Sequence, residues 1–411
     1  MKKLQDAYIV AATRAPIGKS HKGCFRQTRP DDLLATVLRA ALAQAPGLDP
    51  AAVEDVVCGC AMPEAQQGLN VARIAAVLAG LPKSVGGITV NRFCASGLSA
   101  LQIAADRIRV GEAEVMIAAG VESMSLVPMM GNSPSLSPAL FGNTERVEDY
   151  GIAYGMGLTA ERVAQQWGVS RADQDAFALQ SHQRALQAQA GGEFAAEITP
   201  VEVLERRVDL ETAEVAVTRR TVSLDEGPRA DTSLEGLARL KPAFATPRRP
   251  DLSPTGLGSV TAGNSSQTSD GAGALVLASE AAVRRFGLTP LARWVSFAAR
   301  GVPPHIMGMG PVEAVPAALA LAGLRLDELD WIELNEAFAA QSLAVIRTLG
   351  LDPQRVNPLG GAIALGHPLG ATGAIRAATV VHALRRRQLR YGMVTMCVGM
   401  GQGAAGILER V

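Results

Sequence analysis

Apolar and polar positions alternate along the chain in two rhythms, short β-branched or alanine-rich runs and longer stretches with apolar residues at helical spacing. Residues 7–12 read as a strand, and 33–43 as a helix with Asp31 and Asp32 capping its positive end. Residues 53–59 read as a strand, and 70–79 as a helix stopped by Gly80 and Pro82. The run 85–90 reads as a buried strand, 98–110 as a helix, and 114–119 as a strand. The run 270–278 is a further buried strand. The last part repeats this order: strand 292–298, helix 312–322 with Pro316 near its first turn, strand 329–334, helices 339–349 and 373–384, then strands 392–396 and 404–409. Matching βαβαβαββ orders predict an α/β fold made of a duplicated, layered unit. Such units bind ligands beyond the carboxyl ends of their strands, where the loops of both halves converge.

Between the halves the texture changes. From about 126 to 267, proline and glycine are frequent at first. A helix rich in glutamine and charge then opens at Ser170 with a capping-box pattern and is expected to be solvated on one face. Residues 197–221 alternate like a surface hairpin. This reads as an inserted loop domain, and such excursions carry binding surfaces. The expected boundaries are 1–125 with 268–290 for the first half, 126–267 for the insertion, and 291–411 for the second half.

Composition narrows the function. The 39 basic and 39 acidic side chains cancel, which argues against a nucleic-acid binder. No run of about eighteen uncharged apolar residues appears, so no membrane span is expected. The first strand follows Met1 so closely that a secretory signal has no room. Five cysteines lack zinc-knuckle spacing, so no metal is expected, and reduced thiols suit a cytoplasmic protein. Cys58-Gly59-Cys60 reads as strand end and core.

Cys94 is the first candidate for chemistry. It sits in Asn91-Arg92-Phe93-Cys94-Ala95-Ser96-Gly97, between a strand and a helix. A helix start presents unpaired N–H groups, which would push a thiol toward thiolate, the form that attacks carbonyls. The small residues Ala95, Ser96 and Gly97 would let an acyl group approach the backbone. A buried, inert core cysteine is the alternative. His367 lies in a glycine-rich loop and can serve as a neutral base, unless it is structural. Cys397 precedes Gly399, Gly401 and Gly403, whose N–H groups can bind an oxyanion; a core thiol is again the alternative. Asn335 could equally be a helix N-cap. One cysteine per half, a histidine and an amide at the same sheet end describe thioester chemistry with a separate acid/base thiol.

These motifs, together with Asn335-Glu336-Ala337-Phe338-Ala339, the glycine-rich run 360–368 around His367, and Cys397-Val398-Gly399-Met400-Gly401, resemble the thiolase family. Residues 120–125 and 261–266 are also typical of it, and the resemblance covers essentially the whole chain. It is nearest to the degradative 3-ketoacyl-CoA thiolases of fatty-acid β-oxidation. The resemblance implies a five-layered α/β/α/β/α core and a homodimer or homotetramer. It also implies thiolytic cleavage of 3-ketoacyl-CoA by CoA, with acyl-CoA and CoA as substrates and no cofactor. By motif, Cys94 would carry the acyl group and His367 would activate it. Asn335 would position a water, and Cys397 would protonate the departing enolate. The N–H groups of Cys94 and Gly399 would hold the second oxyanion. Ser266 would contact pantetheine, Arg229 would lie near the adenine end, and Met156, Phe244, Ala337 and Phe338 would line the pantetheine tunnel.

One departure stands out. Short-chain biosynthetic members carry His-Met-Gly where this chain has Gly155-Met156-Gly157, which leaves room for longer acyl chains. An acetoacetyl-CoA-forming acetyltransferase remains an alternative. A condensing synthase would pair its nucleophile with two histidines, or a histidine and an asparagine, whereas a second cysteine at 397 favours a thiolase. A non-catalytic CoA- or lipid-binding relative should have lost a reactive residue, and all four are present.

Overall fold

The computed structural model describes residues 4–132, 135–141, 144–244 and 258–411. The first half runs β1 (Ala7–Arg14), β2 (Gly18–Lys19), α1 (Pro30–Ala43), β3 (Asp55–Gly59), α2 (Val71–Leu78), β4 (Ile88–Val90), α3 (Ser96–Arg109) and β5 (Val115–Ser123). The excursion holds α4 (Met156–Gln166), α5 (Arg171–Ala190), the hairpin β6 (Val201–Val208) with β7 (Val215–Val222), and α6 (Leu234–Ala238). The first half closes with β8 (Ser269–Ser279), and α7 (Glu280–Phe286) leads out of it. The second half runs β9 (Ala292–Gly301), α8 (Gly310–Ala322), β10 (Trp331–Leu334), α9 (Ala339–Leu349), α10 (Ala362–Leu365), α11 (Thr372–Arg386), β11 (Tyr391–Val398) and β12 (Gln402–Arg410).

The pairing shows the duplication. In the first half β4, β3 and β5 run parallel, then β8 and β1 pair antiparallel. In the second half β10 and β11 are parallel, then β12 and β9 pair antiparallel. Val356 bridges Ile332 in parallel, in the place that β4 fills in the first half. The pairs Tyr8–Arg293 and Ile9–Ala292 join β1 to β9, so hydrogen bonds run unbroken through both halves.

Three apolar clusters give five layers. α3 and α11 supply the middle one, where Leu98, Leu101, Ile375 and Val380 meet Met116, Leu275 and Met396 from the strands. α1 and α2 cover one outer face through Leu34, Leu38, Val71 and Ala75. α8 and α9 cover the other through Val315, Leu319, Val345 and Ile346. Alanine and valine dominate the interior, which allows helices and sheets to approach closely.

Local chemistry explains several element ends. Asn70 Oδ1 accepts the Arg73 N–H at 3.3 Å and caps α2. Ser170 Oγ accepts the Asp173 N–H at 3.1 Å and opens α5. α1 starts earlier than its sequence suggests. Arg29 holds the cap position and Pro30 opens the helix, where its fixed φ suits the first turn, so Asp31 and Asp32 fall inside that turn. Pro316 is interior to α8, not in its first turn, a place that Pro311 takes. β4 is only three residues long and is an edge strand, with Ile88 45% exposed, so the expected buried strand is corrected. The polar face of α5 is partly buried as well. Asp175 takes hydrogen bonds from Arg171 at 2.8 Å and from Asn264 at 3.0 Å, and Ser181 donates to Glu336 at 2.7 Å. The stretch Pro304–Ala322 has the length and apolarity of a membrane span. It breaks at Ile306, however, and its α8 part packs on β9 and β12 through Ala314, Val315 and Ala318.

Candidate active site

Cys94 lies in a tight turn, Phe93–Ala95, that runs straight into α3. Every link of this turn is pinned. Asn91 Nδ2 donates to Ala61 O at 3.0 Å, and Asn91 Oδ1 accepts the Phe93 N–H at 2.8 Å. Ser96 Oγ accepts the Arg92 N–H at 2.8 Å and donates to Phe93 O at 2.7 Å. These bonds hold Phe93 at φ +43°, a region that a bulky residue seldom enters. Such strain next to a thiol marks a turn shaped for more than packing.

The small residues after Cys94 serve a different purpose from the one their sequence suggests. Ala95, Ser96 and Gly97 are buried. A Cβ on Gly97 would sit 2.8 Å from the Ala374 nitrogen, and one on Gly373 would sit 2.1 Å from the Leu98 nitrogen. The bare backbone at Gly97 and Gly373 therefore lets α3 and α11 touch at their N-terminal ends. Gly403 likewise packs on Gly310, and Gly401 turns the β11–β12 hairpin at φ +83°. Of the three glycines after Cys397, Gly399 is the one whose N–H reaches Cys94.

That contact decides the electrostatics. The backbone N–H groups of Gly399 and of Cys94 itself lie toward the Cys94 sulfur, and both favour the thiolate. Burial outweighs them, and the thiol is pushed up to about 11. The expectation of a resting thiolate is therefore corrected: the N–H groups at the helix start do not offset the loss of hydration at the sulfur. Cys94 is nonetheless half-buried, whereas Cys24, Cys58, Cys60 and Cys397 are buried. Their thiols are all pushed well above the ordinary range, chiefly by burial. Cys397 lies inside β11, close enough that charge on Cys94 raises it further.

His367 is buried just before α11, so it enters from the second half as Cys94 enters from the first. Burial and the nearby Arg376 hold its imidazolium down to about 3, so the ring is neutral at pH 7. Thr372 Oγ1 lies 2.6 Å from Nδ1 and donates onward to Pro368 O at 3.1 Å. The hydroxyl is then an acceptor toward the ring, which places the ring proton on Nδ1 and makes Nε2 the acceptor. Asn335 Nδ2 sits 3.3 Å from Nε2, while Asn335 Oδ1 is buried without a partner among the described residues. Asn335 follows β10 and caps no helix: α9 begins at Ala339 behind Phe338. Thr372 carries no signal in the sequence beyond standing five residues past the histidine.

The remaining expected residues fall into two groups. Met156, Phe244, Ala337 and Phe338 pack in one apolar cluster with Cys397, and the rings of Phe244 and Phe338 meet edge-on at 6.3 Å. Met156 also lines the pocket on Cys94, which includes Gly399. A Cβ on Gly155 would meet nothing within 4 Å, so that position faces open space. Arg229 lies elsewhere, on a 390 Å³ cavity with Lys19, His182, Gln267 and Ile363. Its N–H donates to His182 Nδ1 at 3.2 Å, and its side chain meets Asp231 at 3.5 Å. Half-buried Ser266 donates its N–H to Ala337 O at 3.0 Å, and its neighbour Gln267 lines the Arg229 cavity. Lys19 and His182 were not expected at this cavity; they are brought there by β2 and α5, two elements far apart in the chain.

Two family models cover the chain almost end to end, "Thiolase, N-terminal domain" over residues 7–281 and "Thiolase, C-terminal domain" over 288–410. The chain belongs to the thiolase family. Among thiolases, it is 48% identical to the 3-ketoacyl-CoA thiolase of Bacillus subtilis, over 99% of this chain and 100% of that one. It is 47% identical to the β-ketoadipyl-CoA thiolase of Pseudomonas aeruginosa, over 99% and 100%. The crystal structure of human mitochondrial 3-ketoacyl-CoA thiolase matches the fold with a TM-score of 0.86 at 37% identity, covering 100% of both chains. The thiolase fold is therefore shown for this chain, as is membership of a family of acyltransferases.

Proposed function

We infer that this thiolase cleaves 3-ketoacyl-CoA with CoA, yielding acetyl-CoA and a shortened acyl-CoA, in fatty-acid β-oxidation. The observation that carries the reading is the meeting of two thiols from the two halves, with the Gly399 N–H on Cys94. Cys94 attacks the 3-keto carbon as its proton passes to His367 Nε2. The bond between C2 and C3 then breaks, and its electron pair becomes the acetyl-CoA enolate. Cys397 protonates C2. A thiol held well above its usual range suits that step, because it stays protonated until the enolate needs it. CoA next gives its proton to the Cys397 thiolate and attacks the thioester. The N–H groups of Cys94 and Gly399 face the oxygen of that tetrahedral intermediate. Its collapse releases Cys94, which regains the proton from His367.

Asn335 holds the Nε2 side of the imidazole and offers its unpartnered Oδ1 to a water. The Arg229 cavity takes the nucleotide end of CoA, and the Met156–Phe338 cluster takes its pantetheine arm. The exposed edge of β4 supports a homodimer or homotetramer, since an unpaired edge seeks a partner. Five free cysteines support a reducing compartment such as the cytoplasm. A chain-length series of 3-ketoacyl-CoA substrates, assayed for CoA-dependent loss of the keto-thioester, tests the reading. Cleavage is expected across the series, and absence of CoA-dependent cleavage at every length overturns it.

A further inference from the structure

Two cavities adjoin near the reacting thiol. The smaller, of 40 Å³, lies on Cys94 and is lined by Met62, Phe93, Met130 and Met400 among others. The larger, of 740 Å³, has the same four residues in its wall and extends past Leu136 and Phe141. Its volume is within the range of a small-molecule site, and its walls are mostly apolar. Methionines line the junction between the two, and their flexible thioethers can yield to chains of different length.

Glu64 is the one charged side chain among the described residues lining the larger cavity. It is built in. Its Oε1 accepts the backbone N–H of Asn132 at 2.6 Å and the Asn132 side-chain amide at 2.9 Å. The backbone presses close as well, since a Cβ on Gly131 would sit 2.9 Å from Oε1. Among the described residues no arginine or lysine forms an ion pair with Glu64.

We propose that this cavity receives the acyl chain of the Cys94 thioester, and that Glu64 selects uncharged chain ends over ends that carry a carboxylate. The proposal rests on the thiolase reading above. A methyl end entering an apolar cavity loses nothing and gains burial. A carboxylate end loses hydration and meets a charge of its own sign in a medium less polar than water. Relatives of almost equal similarity are named for both kinds of substrate, β-ketoadipyl and 3-ketoacyl, so overall identity does not decide between them.

The test uses pairs of substrates matched in length: 3-oxohexanoyl-CoA against 3-oxoadipyl-CoA, and the corresponding eight- and ten-carbon pairs. The readout is the ratio of kcat/KM within each pair. The wild type should favour the neutral member. Glu64→Gln keeps an acceptor for Asn132 but removes the charge, and should lower that preference about tenfold at one length or more. Leu136→Arg adds a cation to the same cavity from a different segment, and should move the ratio in the same direction even if Glu64→Gln loosens the turn. Ratios unchanged in both variants at every length overturn the proposal, as does a wild type that cleaves both members equally. A protein that cleaves neither member of any pair fails as a thiolase, and that failure is distinct.

Discussion

The two halves use the same architectural position for opposite tasks. In the first, the junction between β4 and the central helix α3 carries Cys94 in a strained, half-exposed turn. In the second, the matching junction, between the Val356 bridge and the central helix α11, carries His367, buried and neutral. The strand ends differ too. β11 carries Cys397 near its end. β5 carries Glu122, whose buried carboxylate accepts the N–H groups of Ala61, Met62 and Gly370 and ties the loops together. Duplication thus supplied two equivalent frames, and the chemistry arose where the two copies diverged. A symmetric pair of thiols could not divide the labour, because one must form a covalent bond while the other only moves a proton.

The sharpest way to break that comparison is Cys94→Ala. Without the nucleophile no acyl-enzyme should form, and turnover should fall by about 10⁴-fold or more. Intact-protein mass after mixing with an acyl-CoA reads it directly. An acyl mass retained at one site would force the two thiols to exchange roles. Cys397→Ala should act differently. Acylation of Cys94 should persist, while deuterium exchange at the acetyl-CoA methyl drops by roughly 10²–10⁴-fold. Exchange at the wild-type rate would remove Cys397 from proton transfer.

The resting state of the pair is open to pH. With the Cys94 thiol at about 11, its thiolate fraction grows about tenfold per unit of rising pH below that value. Iodoacetamide should therefore modify Cys94 ahead of the other four cysteines, at a rate that climbs about 10³-fold between pH 7 and 10. A rate already flat at pH 7 would mean that His367 holds the thiolate as an ion pair in the free protein. The smallest expected effect is at Thr372, which positions His367. Thr372→Val should lower kcat/KM about tenfold, the scale of one lost hydrogen bond, and Thr372→Ser should restore it. Failure of serine to rescue would reduce the contact to packing.

Much of this was legible in the sequence. Helix 339–349 stands in the structure with the bounds its periodicity predicts, and the parallel order of elements in the two halves follows from the pattern of strands and helices. What misled was local reasoning about properties that are set globally. The helix-start argument for Cys94 left out burial, which outweighs two N–H donors. The small residues Ala95, Ser96 and Gly97 read as room for an acyl group, but Gly97 is bare because its helix touches α11 at Gly373. Asn335 is typical of an N-cap, and only the fold shows its amide turned toward His367. Glu64, Lys19 and His182 gave no sign, since each reaches its cavity through contacts distant in sequence.

The contact between Gly97 and Gly373 has a consequence for how such an enzyme can change. It works as a mechanical gauge block: main chain rests on main chain, and the spacing between the thiol turn and the imidazole turn is read off that stop. Side chains can be traded in small steps, but a backbone contact has no smaller size to move to. The gap across which the proton jumps is therefore insulated from gradual drift, and novelty is confined to the walls around it.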